Sequence, residues 1–328
     1  MKGLEAFPAS EATKELSEID RISEEIGNER IDPRDFTDTQ FFTEKEVDDD
    51  LSVCRNLQKM FEAKLEKMSA EEKETYERGL KAEYVLRHAL KDSGWLSADV
   101  NMIVTSQYDD YVRGIDSVAQ IITGDGRLEH LGLAIDFATS REDLERKLWK
   151  TFHTLDQGFS PSVKYFESEK TGKLKNFKMP RLVIGAAPET IGRLSAYTSE
   201  IMAGTAMSDS VRAELEGDPF RYVLMGEILA QLGVFINHIK KIIAKAREFG
   251  FLEVEKRAKA ALSVHIKAME TVEGLAKEAD IDPESIQKQI RGDSFAIRMA
   301  GALSDISSKR EIVDIDLRPP RYQRPNED

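Results

Sequence analysis

The sequence predicts an α/β (α+β) protein, a sheet flanked by helices with further helices before it and a helical hairpin after it. Apolar residues recur at helical spacing over 51–92, give way to short β-like runs from about 101, and regain helical spacing after 218. Across 70–204 the elements read helix, three strands, helix, two strands, helix, which points to a compact α/β or α+β unit. "TGDGR" at 123–127 carries glycine at two of five positions between two of the runs and suits a hairpin connection.

Each element follows from local chemistry. Residues 1–50 hold 16 Asp/Glu against 6 Lys/Arg and include Pro8 and Pro33. That composition predicts an acidic arm, largely disordered or loosely helical, acting as a solubilising tail or masking a basic site. "LSVCRNLQKMFEAKLEKM" from Leu51 is a helix, and Ser69 with Glu72 forms a capping-box pattern that starts a second one. Gly94 closes it. "NMIVTSQY", "VRGIDSVAQII" and "LGLAIDFATS" are three strands. A helix follows with Ser140 as its cap, Leu144, Leu148, Phe152 and Leu155 on one stripe, and Gly158 as its stop. "SVKYFES" and "RLVIGAA" add two strands, and "PETIGRLSAYTSEIM" closes the unit with Pro188 near its start.

Beyond it, Asp218-Pro219 opens a long apolar helix, Gly250 breaks it, and a second helix turns back to make a hairpin. Its first helix has a wider apolar stripe than one partner helix covers. The hairpin is therefore expected to dock on the core or to form a homodimer, with the homodimer favoured. Asp282-Pro283 starts a short helix, and prolines 319, 320 and 325 mark an unstructured tail. The expected organisation is an arm over 1–50, an α/β core with leading helices over 51–204, a hairpin and short helix over 205–308, and a disordered tail over 309–328.

Charge and composition narrow the function classes. The net charge is −13, but most of it sits in the first fifty residues, and 141–181 holds 10 Lys/Arg against 6 Asp/Glu. A nearly neutral body with a locally basic face is compatible with a nucleic acid. The single cysteine, Cys54, excludes a disulfide framework and cysteine-based zinc clusters. The N-terminus has no apolar signal-like region, and Glu227, Gln231, Asn237 and His238 interrupt the most apolar run. A cytoplasmic protein without a membrane span is expected. No HExxH, Gly-x-Ser-x-Gly or GK[ST] occurs, so zinc proteolysis, serine hydrolysis and P-loop chemistry lack support.

The informative stretch is "YVRGIDSVAQIITGDGRLEHLGLAIDFATS", residues 111–140, where two apolar strands each carry one aspartate, Asp116 and Asp136. A carboxylate in such a strand is costly unless it is paired or holds a metal. Strand alternation puts Asp116 with Val112, Gly114 and Val118, and Asp136 with Ala134, Ala138 and Ser140. Small neighbours leave room for a hard cation such as Mg²⁺ between the two. Pairing with Arg113, Arg141 or backbone donors is the structural alternative. Asp109 and Asp110 read as turn residues. On the preceding helix, Glu83 shares a stripe with Leu86 and Leu90 and faces the sheet.

A helix glutamate, an aspartate on the second strand, an acid on the third and then a helix resembles the PD-(D/E)XK nuclease superfamily over residues 80–204. The "YDDYVRGID…LGLAID" pattern is also similar to uncharacterised bacterial proteins. The superfamily resemblance implies a restriction-endonuclease-like mixed sheet and Mg²⁺-dependent hydrolysis of nucleic-acid phosphodiesters. It assigns Asp116 to the motif aspartate, Asp136 to the first acid of the (D/E)XK element, and Glu83 to the helix acid, all three as metal ligands. Where the superfamily places its lysine this chain has Ala138. Lys164 is the preferred substitute, with Lys147 and Lys150 as the others. The rival expectation is a catalytically inactive protein of the same fold that works through its hairpin. A metal-dependent phosphohydrolase acting on nucleotides is a third.

Overall fold

The capping pattern read at Ser69 is formed in full. In the computed structural model, which describes residues 10–37, 41–96, 100–122, 128–135, 141–202 and 207–309, Ser69 accepts from the Glu72 amide and the Glu72 carboxylate accepts from the Ser69 amide. This box separates α2 (Glu44–Lys67) from α3 (Ala70–Asp92). A second box, Thr43 with Glu46, begins α2. Before them lies α1 (Ser10–Glu29) and a 3-10 turn over Pro33–Phe36.

The arm, expected to be largely disordered or loosely helical, is helical over Ser10–Glu29 and packs on the body where it is described. Ile22 and Ile26, one helical turn apart, bury against Tyr84 and Val104. Phe36, Phe42 and Val47 bury with Tyr108 and Tyr165. The acids that made this segment look unfoldable meet cations and donors of the body: Glu29 pairs with Arg87 at 3.4 Å, and Glu25 accepts from the Tyr84 hydroxyl. An acidic composition drives disorder only when few apolar groups are available to bury, and here they recur at helical spacing. Residues 310–328, where a disordered tail was expected, lie outside the described residues.

Among the described residues there are six strands, β1 (Asn101–Val104), β2 (Ser117–Ile122), β3 (Leu128–Ile135), β4 (Ser162–Ser168), β5 (Gly172–Lys178) and β6 (Arg181–Ile184). Strands β1, β2 and β3 run antiparallel in sequence order, and β6 joins parallel to β3 to complete a mixed sheet. A parallel neighbour requires a crossover, and α4 (Arg141–Asp156) lies within it. Its predicted stripe of Leu144, Leu148, Phe152 and Leu155 is fully buried. The expected cap Ser140 and the "TGDGR" turn lie outside the described residues.

Strand β4 does not join that sheet. It pairs antiparallel with β5, a strand absent from the sequence reading, as a separate ribbon. The β5 segment "GKLKNFK" has few apolar residues and a largely exposed face, so no buried alternation announces it. The ribbon packs on the mixed sheet through Ile115, Val118, Val163, Phe166 and Met179. His130 of β3 stands edge-on to Phe166 and Phe177.

The helices α5 (Pro188–Met202), α6 (Asp209–Glu216), α7 (Phe220–Glu248), α8 (Leu252–Glu278), α9 (Pro283–Gly292) and α10 (Ser294–Lys309) complete the described chain. The hairpin of α7 and α8 forms as expected. Its surplus apolar stripe docks on the core: Val223, Leu224, Ile228, Leu232, Phe235, Ile239 and Ile242 share one hydrophobic core with Leu131, Leu148 and Leu182. The stripe that suggested a homodimer is therefore covered within the chain itself. Helix α7 is long and apolar enough to cross a membrane by composition alone, yet most of that stretch is buried here.

Candidate functional site

Asp116 does not sit mid-strand. Residues Asp109–Arg113 form a single π-helical turn, Gly114 leaves it at φ +66°, and the strand begins at Ser117. The chain thus bends sharply just before β2, and Val112 and Gly114 do not share a strand face with Asp116. The left-handed Gly114 makes the bend possible, since a side chain there would be strained. A Cβ at Gly114 would also lie 3.1 Å from Arg181 Nη2 and 3.2 Å from Lys150 Nζ.

Asp109 fixes the turn. Its buried carboxylate accepts from the Ser106 hydroxyl and from the amides of Lys164 and Tyr165 on β4. Arg113 donates to the Ser162 carbonyl and hydroxyl at 2.8 and 2.6 Å and to Asn176 at 3.0 Å. Arg113 is therefore committed to the ribbon. Arg181, 3% exposed on β6, donates to the Gly114 carbonyl and to the Lys147 carbonyl, both at 2.8 Å. It staples the end of the turn to α4.

The turn, α3 and α4 converge on one cavity of about 1220 Å³. Glu83 of α3, Asp110 of the turn and Asp116 line it from one side, and Arg146, Lys147 and Lys150 of α4 from another. The segment leaving α1 brings Arg30 and Arg34, and α2 brings Arg55, Gln58 and Phe61. Arg30 donates to Asp110 at 2.6 Å. An arm read as a solubilising tail, or as one masking a basic site, thus contributes a cation to the cavity beside Asp110.

The carboxyls perturb one another. Burial raises Glu83 to about 7, helped by the charge of Asp110 and opposed by Arg87, Arg30 and Lys147. Burial also holds Asp116 well above the ordinary aspartate range, reinforced by the charges of Asp110 and Glu83 and by a hydrogen bond with Asp110. The Lys150 ammonium falls to about 8, first through desolvation and then through Arg181 and Arg146, with Asp116 and Asp110 acting the other way. Both carboxyls are half-buried. Acids that resist ionisation beside a lysine that loses its proton readily form an environment suited to proton transfer and to binding an anion.

Lys164 is elsewhere, which corrects its expected place beside the aspartates. Its ammonium pairs with Asp50 of α2 and lies 4.9 Å from the Tyr108 ring centre and 5.1 Å from that of Phe42. The separate ribbon carries it toward α2, where it has a docking role. Lys147 and Lys150, the other lysines considered, are the ones that reach the cavity. Asp136 lies outside the described residues. The sequence reading missed Asp110, Arg30, Arg146 and Arg181. The doubled acid of "QYDDYV" was the available signal for Asp110, since only one of two adjacent side chains can turn inward to anchor the turn.

Glu83, Asp110 and Asp116 supply the hard oxygen atoms that Mg²⁺ prefers, and their mutual repulsion is what a cation relieves. Among the described residues, no three His, Cys, Asp or Glu side chains are grouped so as to hold a metal ion. The donor chemistry suits a hard cation, and Asp136, the third acid expected as a ligand, lies outside the described residues. No family model, no curated protein and no solved structure matches this chain.

Proposed function

We propose that the cavity between α3, the π-helical turn and α4 is a hydrolytic site for nucleic-acid phosphodiesters, on a divergent restriction-endonuclease-like fold. The observation that carries this reading is the arrival of Glu83 and Asp116 at one cavity with Lys147 and Lys150. The order of elements supports it: a helix with an acid, three antiparallel strands, a crossover helix and a parallel strand. The PD-(D/E)XK resemblance rests on the first part of that order, a helix acid followed by strands and then a helix.

Glu83, Asp116 and Asp136 would hold a Mg²⁺ ion, which when bound polarises the phosphodiester and lowers the pKa of an attacking water. The chain's own groups have separate tasks. Arg146 and Lys147 attract and orient the phosphate by charge. Lys150, near neutrality in its ionisation, stabilises negative charge gathering on the phosphoryl oxygens and can pass a proton to the leaving oxygen. Arg181 keeps the turn against α4, so the acids and lysines hold their separation. Lysine supplied by the crossover helix answers the lack of one at Ala138. The rival, an inactive protein acting through its hairpin, is weakened because the apolar face of α7 is already engaged.

Cleavage of labelled DNA and RNA oligonucleotides in Mg²⁺ or Mn²⁺ at pH 7–9 tests this directly. Asp116→Asn should reduce the rate at least ~100-fold, as removal of a transition-state electrostatic group does, with an unchanged melting temperature. Lys150→Met should lower it by about 10²-fold. A folded wild-type chain that cleaves none of these substrates would refute hydrolysis.

A further inference from the structure

The same cavity carries features that hydrolysis alone does not require. Phe61 and Tyr111 are 36% and 38% exposed, two of the few large apolar side chains left open to solvent among the described residues. Both line this cavity, as does Tyr76, whose ring lies 5.2 Å from that of Phe61. Exposed aromatic rings gathered in one cleft, beside Arg30, Arg34 and Arg55, call for a ligand with flat apolar faces and repeated negative charge.

We propose that the cleft binds a single-stranded polynucleotide, with Phe61 and Tyr111 stacking on its bases while the arginines and the α4 lysines follow its phosphates. The inference rests on the phosphodiester reading of the site and specifies the form of its substrate. Two arguments favour a single strand over a duplex. Bases in a duplex are hidden in the stack, so a duplex can use the cations but not the rings. A single strand presents both, and base–aromatic stacking combined with a basic groove is how such strands are held without sequence preference. The segment after α1 and residues of α2 line the same cavity as Glu83 and Asp116, so a strand stacked on Phe61 would lie in the cavity that holds the acids. The volume of about 1220 Å³ also exceeds the ~300–1,000 Å³ typical of a small-molecule pocket. A mononucleotide would leave much of it unfilled.

Fluorescence anisotropy on the full chain in EDTA measures binding without cleavage. The probes are a labelled 12-nucleotide single-stranded DNA, the same sequence as RNA, its blunt DNA duplex, and AMP as competitor. The expected result is at least tenfold tighter binding of one or both single strands than of the duplex, with AMP competing only weakly. Phe61→Ala and Tyr111→Ala should each weaken single-strand binding by about 5- to 100-fold, the range that stacking losses produce. Phe61→Trp should restore it, which separates stacking from any structural damage, and unchanged melting curves would confirm the alanine variants are folded. Equal or tighter duplex binding would overturn the inference, as would alanine variants that bind like wild type or AMP competing as well as the strand. Cleavage of duplexes without single-strand preference would remove this inference and leave the hydrolytic reading intact. Single-strand binding lost on Phe61→Ala, with no cleavage, would remove hydrolysis alone.

Discussion

Glu83 shows how burial alters a single group. Its carboxyl ionises near 7 in the folded chain, against an ordinary value of 4.5 that applies once the chain unfolds. Between those values the unfolded state holds fewer protons than the folded one. Stability therefore falls as pH rises from about 4.5 to about 7, and this contribution is constant above that range. Glu83→Gln removes the ionisation and keeps the shape. The difference in melting temperature between variant and wild type should move in the variant's favour across that window, as read by fluorimetry from pH 4.5 to 8. A difference independent of pH would mean that Glu83 ionises normally. Lys164 makes the opposite point. A lysine interrupting an apolar strand looked functional in sequence, yet its aromatic surroundings and Asp50 give it a purely structural partner set.

The π-helical turn Asp109–Arg113 is the element on which the site depends, and Asp109 is the group that holds it to β4. Asp109→Ala orphans the buried amide of Tyr165 and the part-buried amide of Lys164 and should cost at least ~2 kcal/mol, measured by urea denaturation. Asp110 and Asp116 should lose their positions with it, so oligonucleotide binding should weaken even where the variant stays folded. Unchanged stability would show that the turn does not need this anchor. The contrast between elements shows what the sequence could reveal. Helix α4 was legible because its four stripe residues all bury on one face. The α2–α3 boundary was legible because a capping box is local chemistry. The turn was not, since "YVRGID" alternates well enough to pass for a strand and only Gly114 hinted at a bend. Strand β5 escaped because its pairing with β4 needs little buried surface. Glu83 and Asp116 were legible as acids out of place. The arginines of the cavity were not, because Arg30 and Arg181 meet there from positions about 150 residues apart, and no local pattern encodes that meeting.

At the scale of the whole molecule, the polar residues that interrupt α7 explain why the hairpin belongs to the core. Gln231, fully buried, accepts from the Val183 amide and donates to the Val183 carbonyl, each at 2.9 Å. It thereby completes the hydrogen bonding of β6 at the edge of the mixed sheet, where no further strand pairs among the described residues. His238, about two turns further along the same helix, meets Asp156 at the end of α4 at 2.7 Å. Gly226 lies against α9 so closely that a Cβ there would come within 2.5 Å of Ile290. The hairpin is thus registered to the sheet, the crossover helix and the C-terminal helices at three points along α7. Gln231→Leu keeps the volume roughly constant and adds apolar surface, yet it leaves the Val183 amide and carbonyl buried without partners. A loss of about 2–4 kcal/mol follows from two unsatisfied groups, read as a lower midpoint in urea. A chain ending at Gly217 removes far more, exposing the face of β6 and the stripe of α4 together. It should show no cooperative unfolding transition, whereas a hairpin that merely decorated an independent α/β unit would leave that transition in place.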